Sequence, residues 1–291
     1  MEQAEALLKA GDLDGCLKEV TARIRADGAA IAPRVFLFQL FSVLGEWERA
    51  RRQLYVLKDM DAGTIPMFEV YDAVIQCEHM RSAVFDGKRS PLMFGQPSEW
   101  LANLAAALVA LAEGKKDEAE RLRDSAFEAA PAVPGQINGE AFEWLADADG
   151  RLGPVLEVFL KGQYYWVPFH AVASISIEPP ADLRDLVWTP AEFRWANGGE
   201  AVGFIPTRYP GTEAGNDSRL KLSRLTEWAE AGNDLVLGSG QRVLVTDQND
   251  YPLLSVEKVT LEVPACDADA GDLPDAKPID SAKPTDEGRD G

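Results

Sequence analysis

Groups able to do general-base, nucleophilic or metal chemistry are sparse in this chain, which holds two histidines and three cysteines. Cys77 and His79 stand two apart on a segment of helical periodicity, so they point to different faces and do not make a zinc pair. Asp147-Ala148-Asp149 spaces two carboxylates as cation ligands are spaced, yet the further regular oxygen ligands of a calcium loop do not follow. Helix capping or an ion pair with Arg151 is the simpler expectation. Gly238-Ser239-Gly240 lacks the flanking glycines of a nucleophile elbow, and Val243 stands where a dinucleotide loop needs its third glycine, so a turn between strands is predicted. No P-loop occurs. A carboxylate-dependent hydrolase using Asp147, Asp149, Arg184, Asp185 or Arg224 in a cleft would have neither a nucleophile–base pair nor an adequate metal cluster. The residues therefore predict no catalytic site, no metal and no cofactor.

The charge balance narrows the partners. Lys and Arg number 29 against 48 Asp and Glu, a net charge of -19 that argues against binding nucleic acid or anionic lipid. The chain opens Met1-Glu2-Gln3-Ala4-Glu5, acidic where a secretory signal needs positive charge, and its most apolar stretch, 101–112, is too short to span a bilayer. A soluble, cytoplasmic protein without membrane insertion is expected. Cys16, Cys77 and Cys266 form no CxxC pair or disulfide framework and are expected to be free thiols.

The elements that must position these residues fall into two halves and a tail. Across 1–150 the apolar residues recur at helical spacing, and across 151–263 short β-branched and aromatic runs alternate with Gly, Pro, Asn and Asp. The 264–291 tail has no aromatic residue and carries eight acidic against three basic side chains, a composition that predicts disorder. Gly11, Gly45 and Gly114 each precede a small residue by five positions, namely Cys16, Ala50 and Ala119. The first two glycines are 34 residues apart and the third follows after 69, the tetratricopeptide period with one degenerate copy between. Helical hairpins are predicted at each, with the helix over 33–44 in the middle of the stack and Met67, Val70, Tyr71, Val74, Ile75 and Met80 marking a further amphipathic helix. Strands are predicted at 155–160, 164–167, 172–177, 193–195, 202–205, 242–245, 253–256 and 260–263, with turns at Asn197-Gly198 and 247–250. The segment 220–228 admits a helix through Leu222, Leu225 and Trp228. The fold class is α+β: tetratricopeptide-like hairpins, then a small-barrel-like or strongly bent sheet able to cap the stack, then the acidic tail.

Aromatic residues crowd the second half: Tyr164, Tyr165, Trp166, Phe169, Trp188, Trp195, Tyr209 and Trp228. They read as core first and as interface anchors second.

The stretch from Asp147 to Glu157, then Tyr164-Tyr165-Trp166-Val167-Pro168-Phe169, 182–192, 205–212 and 222–228 resemble, in order, the motifs of the ImpE family, also called SciE or TagJ, accessory proteins of bacterial type VI secretion. Ser223 and Glu227 stand where the family usually carries Gly and Asp. The resemblance implies a non-enzymatic adaptor that binds the N-terminal helix of the small contractile-sheath subunit and is associated with the ATPase that disassembles contracted sheath. It marks Asp147, Asp149, Arg151, Trp166, Pro168, Arg184, Asp185, Trp188, Tyr209, Arg224 and Trp228 as partner-binding or family-motif positions. A stack of helix pairs offers a groove for an amphipathic partner helix, and the net negative charge favours one bearing Lys or Arg. A generic tetratricopeptide scaffold with another client is the alternative.

Overall fold

The computed structural model describes residues 1–95, 98–232 and 235–263. The expected tail disorder, Cys266 and Pro97 lie outside them. The chain begins with α1 (Glu2–Ala10), α2 (Leu13–Ala26), α3 (Ile31–Leu44), α4 (Trp47–Met60) and α5 (Ile65–Phe85), then β1 (Leu92–Met93), α6 (Glu99–Ala112) and α7 (Lys116–Ala129). No helix among the described residues is long and apolar enough to cross a membrane.

Each Gly-to-small signature is a helical hairpin. Gly11, Gly45 and Gly114 take φ of 80°, 73° and 77°, which L side chains resist, and their N–H groups bond to the carbonyls of Leu8, Ser42 and Leu111. Cys16, Ala50 and Ala119 are buried where the following helix crosses its partner. Residues 37–43 of α3 are buried all round, as a central helix requires. In the interval of the degenerate copy stands α5, a single helix of 21 residues. Val70 and Met80, placed on its apolar stripe above, are exposed, because the buried face instead carries Glu78 and Arg81 beside Tyr71, Val74, Ile75, Cys77 and Val84.

The chain then forms β2 (Gly135–Ile137), β3 (Glu140–Phe142), β4 (Leu145–Asp147), β5 (Val155–Leu160), β6 (Gln163–Pro168), β7 (Val172–Ile177), β8 (Trp188–Trp195) and β9 (Glu200–Pro206). The short helix α8 (Ser218–Lys221) precedes β10 (Thr226–Glu230), β11 (Val236–Gly240), β12 (Val243–Thr246), β13 (Asp250–Pro252) and β14 (Lys258–Leu261). After the two-residue β1, strands resume at Gly135, within the stretch read as helical, because three-residue strands are too short to show alternation. The main sheet has nine strands in the order β1-β6-β5-β9-β8-β7-β14-β2-β3, with β13-β12-β4 and β10-β11 as smaller sheets. It curls strongly. Phe94, just after β1, lies 4.3 Å from Trp195 of β8 between ring centroids, although four strand steps would set flat strands about 19 Å apart.

Both faces of β5 and β6 are covered, which is why these strands read as continuous apolar runs. Val155, Phe159, Tyr164, Trp166 and Trp188 join the helical core, while Leu156, Val158, Tyr165, Val167, Phe193 and Trp195 enclose a second core inside the curl. The sheet therefore caps the helical stack.

Two local expectations give way, and the open question at 220–228 is resolved. Leu253–Ser255 is a 3-10 turn, since Pro252 supplies no N–H to continue the β13 ladder. The 220–228 segment is not one helix: Ser223 takes φ 53° and ends α8, and Trp228 then pairs with Gly238 across β10 and β11. The Ser223 hydroxyl donates to the Leu186 carbonyl at 2.7 Å, which offsets the conformation that the resembled family meets with Gly. Gly238-Ser239-Gly240 lies within β11 and not in a turn, because Gly238 leaves room for the Tyr209 ring and a Cβ there would sit 2.3 Å from it.

Two glycines separate conformational strain from steric conflict. Gly114 has positive φ and open space, so Gly114→Ala is expected to cost about 1 kcal/mol. A Cβ at Gly240, also at positive φ, would lie 2.1 Å from the Leu225 carbonyl oxygen, and Gly240→Ala is expected to cost about 3 kcal/mol or more. Urea unfolding of both variants measures the difference.

Candidate functional site

The face of β5 that meets the helices carries one charged residue, Glu157, between Val155 and Phe159. Arg81 of α5 forks onto it, Nε to Oε1 and Nη2 to Oε2, each at 2.8 Å. Arg242 donates to Glu157 with one nitrogen and to Asp147 with another, while its Nε donates to the Pro206 carbonyl at 2.9 Å. The Tyr164 hydroxyl donates to Glu157 at 2.6 Å and receives the Trp166 indole N–H at 2.7 Å. Beyond Arg81, Glu78 accepts the Trp188 indole N–H at 2.8 Å. Tyr209 closes the other end, donating to Asp147 at 3.0 Å and accepting from the Val243 N–H at 3.0 Å. All these side chains are buried.

Burial alone would raise the Glu157 carboxyl, but Arg81 and Arg242 outweigh it and hold it at about 2. Burial drives Asp147 up to about 6 against the opposing pull of Arg242. Glu78 is also raised by burial, with Arg81 pulling it down.

Two more arginines bind the sheet half to helix ends. Arg208 donates to the carbonyls of Val43 at 2.7 Å and Ser42 at 3.3 Å, the last turn of α3. Arg224 donates to Lys9 at 2.9 Å and Leu8 at 3.1 Å, the last turn of α1. Unpaired terminal carbonyls carry the negative end of the helix dipole, which a guanidinium satisfies.

The remaining motif residues fall around this frame. Asp149 pairs with Arg151 and accepts the Gly238 N–H at 2.8 Å. Asp185 accepts the N–H groups of Ala181 and Asp182 at 2.7 and 3.0 Å, and Arg184, engaged with Asp182, lies 4.6 Å above the Tyr71 ring. Pro168 ends β6 opposite Val155. Trp228 is apart: 44% exposed on β10, with its ring 5.6 Å from Tyr209. Cys77 is buried, while His79 sits 3.4 Å from Glu48. Among the described residues no three His, Cys, Asp or Glu side chains are grouped to hold a metal ion.

A groove of about 270 Å³ lies between the α6–α7 hairpin, Gly150 and Arg151, and the residues Ala231, Gly232 and Leu235. Leu104, Ala107, Leu108, Leu111 and Leu235 line it together with the charged residues Lys116, Asp117, Glu120, Arg123 and Arg151.

The ImpE protein family model matches residues 139–260. The chain is 46% identical over 259 residues to the type VI secretion system accessory component TagJ of Pseudomonas aeruginosa, covering 89% of this chain and 91% of that protein. The chain belongs to the TagJ/ImpE family. Its fold also matches a crystal structure of a Vibrio parahaemolyticus protein, with a TM-score of 0.82 at 22% identity over 89% of this chain and 97% of that one. Across the TagJ-family motifs, Asp147, Trp166, Trp188 and Tyr209 meet in the buried network, and Arg224 acts separately at α1. Sequence reasoning named neither Glu157 nor Glu78, Arg81, Arg208 and Arg242 as members of this frame. The available signal was a single charge inside an otherwise apolar run, as at Glu157.

Glu157→Gln leaves two buried guanidiniums undercompensated and is expected to destabilise the protein by about 3–5 kcal/mol at neutral pH. With its folded value near 2 and an ordinary value of 4.5, Glu157 contributes fully above pH 4.5 and loses that contribution as pH falls through 2. Asp147 has the opposite sign: its ionisation opposes folding above pH 6, and protonation relieves this as pH falls towards 3.8. Denaturant unfolding from pH 7 to 2 should therefore show the gap between wild type and Glu157→Gln narrowing below pH 4.5.

Proposed function

We propose that this protein is a non-enzymatic, cytoplasmic adaptor of type VI secretion that binds the N-terminal helix of the small contractile-sheath subunit. In this reading it serves sheath assembly or sheath recycling by the disassembly ATPase. Membership of the TagJ/ImpE family supports the setting. The observation that carries the binding mode is the apolar groove beside α6. Leu104, Ala107, Leu108 and Leu111 recur at i, i+3, i+4 and i+7, one helix face, and the space accepts a few anchor side chains of an amphipathic helix laid across it. Asp147 and Asp149, the carboxylates that an enzyme would need free, are instead engaged by Arg242 and Arg151.

Isothermal titration with a peptide of the cognate sheath subunit's N-terminal helix tests the proposal. Saturable binding with a negative heat-capacity change is expected, weakening with salt because charged residues border the groove. Leu111→Glu, at a half-buried position of the lining, should weaken it about ten-fold. Absence of binding to the full chain contradicts the proposal, and wild-type affinity in Leu111→Glu moves the contact away from this groove.

A further inference from the structure

The three hairpins share one pair of backbone hydrogen bonds at the end of their first helices, although α6 stops one residue earlier, with Glu113 between Ala112 and Gly114. The N–H of Gly11, Gly45 and Gly114 bonds to the carbonyls of Leu8, Ser42 and Leu111, and the next N–H bonds one residue further back, to Leu7, Phe41 and Ala110. The carbonyl pairs left at the helix end are therefore equivalent: Leu8 and Lys9 on α1, Ser42 and Val43 on α3, Leu111 and Ala112 on α6. Arg224 fills the first pair and Arg208 the second, each with two guanidinium nitrogens. No described side chain donates to the third.

The surroundings differ in the same sense. A Cβ on Gly45 would meet the Glu213 side chain at 2.3 Å and one on Gly11 would meet Ser218 at 3.9 Å, so the 208–224 segment covers both turns. No described residue lies within 4 Å of a Cβ on Gly114. The open turn adjoins the groove, since Leu111 and Lys116 line it from either side of Gly114.

We propose that the α6 carboxyl end is a third arginine-capping site, completed by an arginine of a partner protein whose neighbouring apolar side chains occupy the groove. The two filled copies specify the chemistry: a planar guanidinium reaches two adjacent carbonyls at once, whereas a lysine ammonium is a point donor. This rests on the reading that the groove is a docking surface and adds what the partner must carry. Within the chain Arg123 and Arg151 line the groove and are engaged by Asp124 and Asp149, and a further competitor is Arg289, the one arginine of an acidic tail.

The test is carbonyl-carbon NMR of the full chain with two probes. One is the cognate sheath-subunit helix; the other is a designed amphipathic peptide with leucines at i, i+3, i+4 and i+7 and one terminal arginine. The proposal expects the designed peptide to move the Leu111 and Ala112 carbonyl signals, and its arginine-to-citrulline analogue to bind about ten-fold more weakly without moving them. Failure of the designed peptide to move those signals overturns the proposal, even if the sheath helix binds. If the designed peptide moves them and the sheath helix does not bind, the capping site stands and the sheath reading fails. Arg289→Ala should leave both signals of the free protein unchanged; a shift would place the tail in the site and overturn the partner assignment.

Discussion

Glu157 sits at the centre of a single strand, and a carboxylate held there between two guanidiniums is what the rest of the molecule is arranged around. Taking these charges out of water is expensive, and geometry with full hydrogen bonding offsets that cost only when every partner is present. Arg81 comes from α5 and Arg242 from the segment before β12, so the pairing can be satisfied only if helices and sheet are docked in one relative position. Tyr164, Trp166, Trp188 and Tyr209 are held by the same network through their polar ends. The rings of Tyr164, Trp166 and Trp188 then join the apolar core that the sheet shares with the helices.

The arginines at helix ends extend this logic from one point to a line. Arg208 and Arg224 grip α3 and α1 at positions separated by one 34-residue repeat, so the sheet half recognises the helical half at its own period. A three-hairpin solenoid would leave apolar faces exposed, and here the sheet covers them. At the third hairpin the docking segment no longer reaches the turn, and the cover gives way to a groove.

Much of the helical half was legible because its signals are local. A glycine that must take positive φ and a small residue at a helix crossing mark a hairpin without reference to the rest of the fold. The strands at 155–160 and 172–177 were legible for a similar reason, as compact apolar or β-branched runs. By contrast, α5 was misread at Val70 and Met80 because its buried face contains Glu78 and Arg81, whose partners lie on other elements. Gly238 looked like part of a turn because the ring it accommodates, that of Tyr209, comes from elsewhere in the chain. Asp147, Trp166, Trp188 and Tyr209 stand in the family motifs, yet only the structure shows that Asp147 meets Arg242 in the interior.

If Glu157 locks the two halves, they must open together. Native-state hydrogen exchange across low denaturant concentrations measures this directly, through the buried amides of Ile75 and Cys77 on α5 and of Val158 and Phe159 on β5. A common opening free energy for both sets is predicted. Exchange of the α5 amides at a distinctly lower free energy, with β5 still protected, would show the helices leaving an intact sheet and would contradict the account.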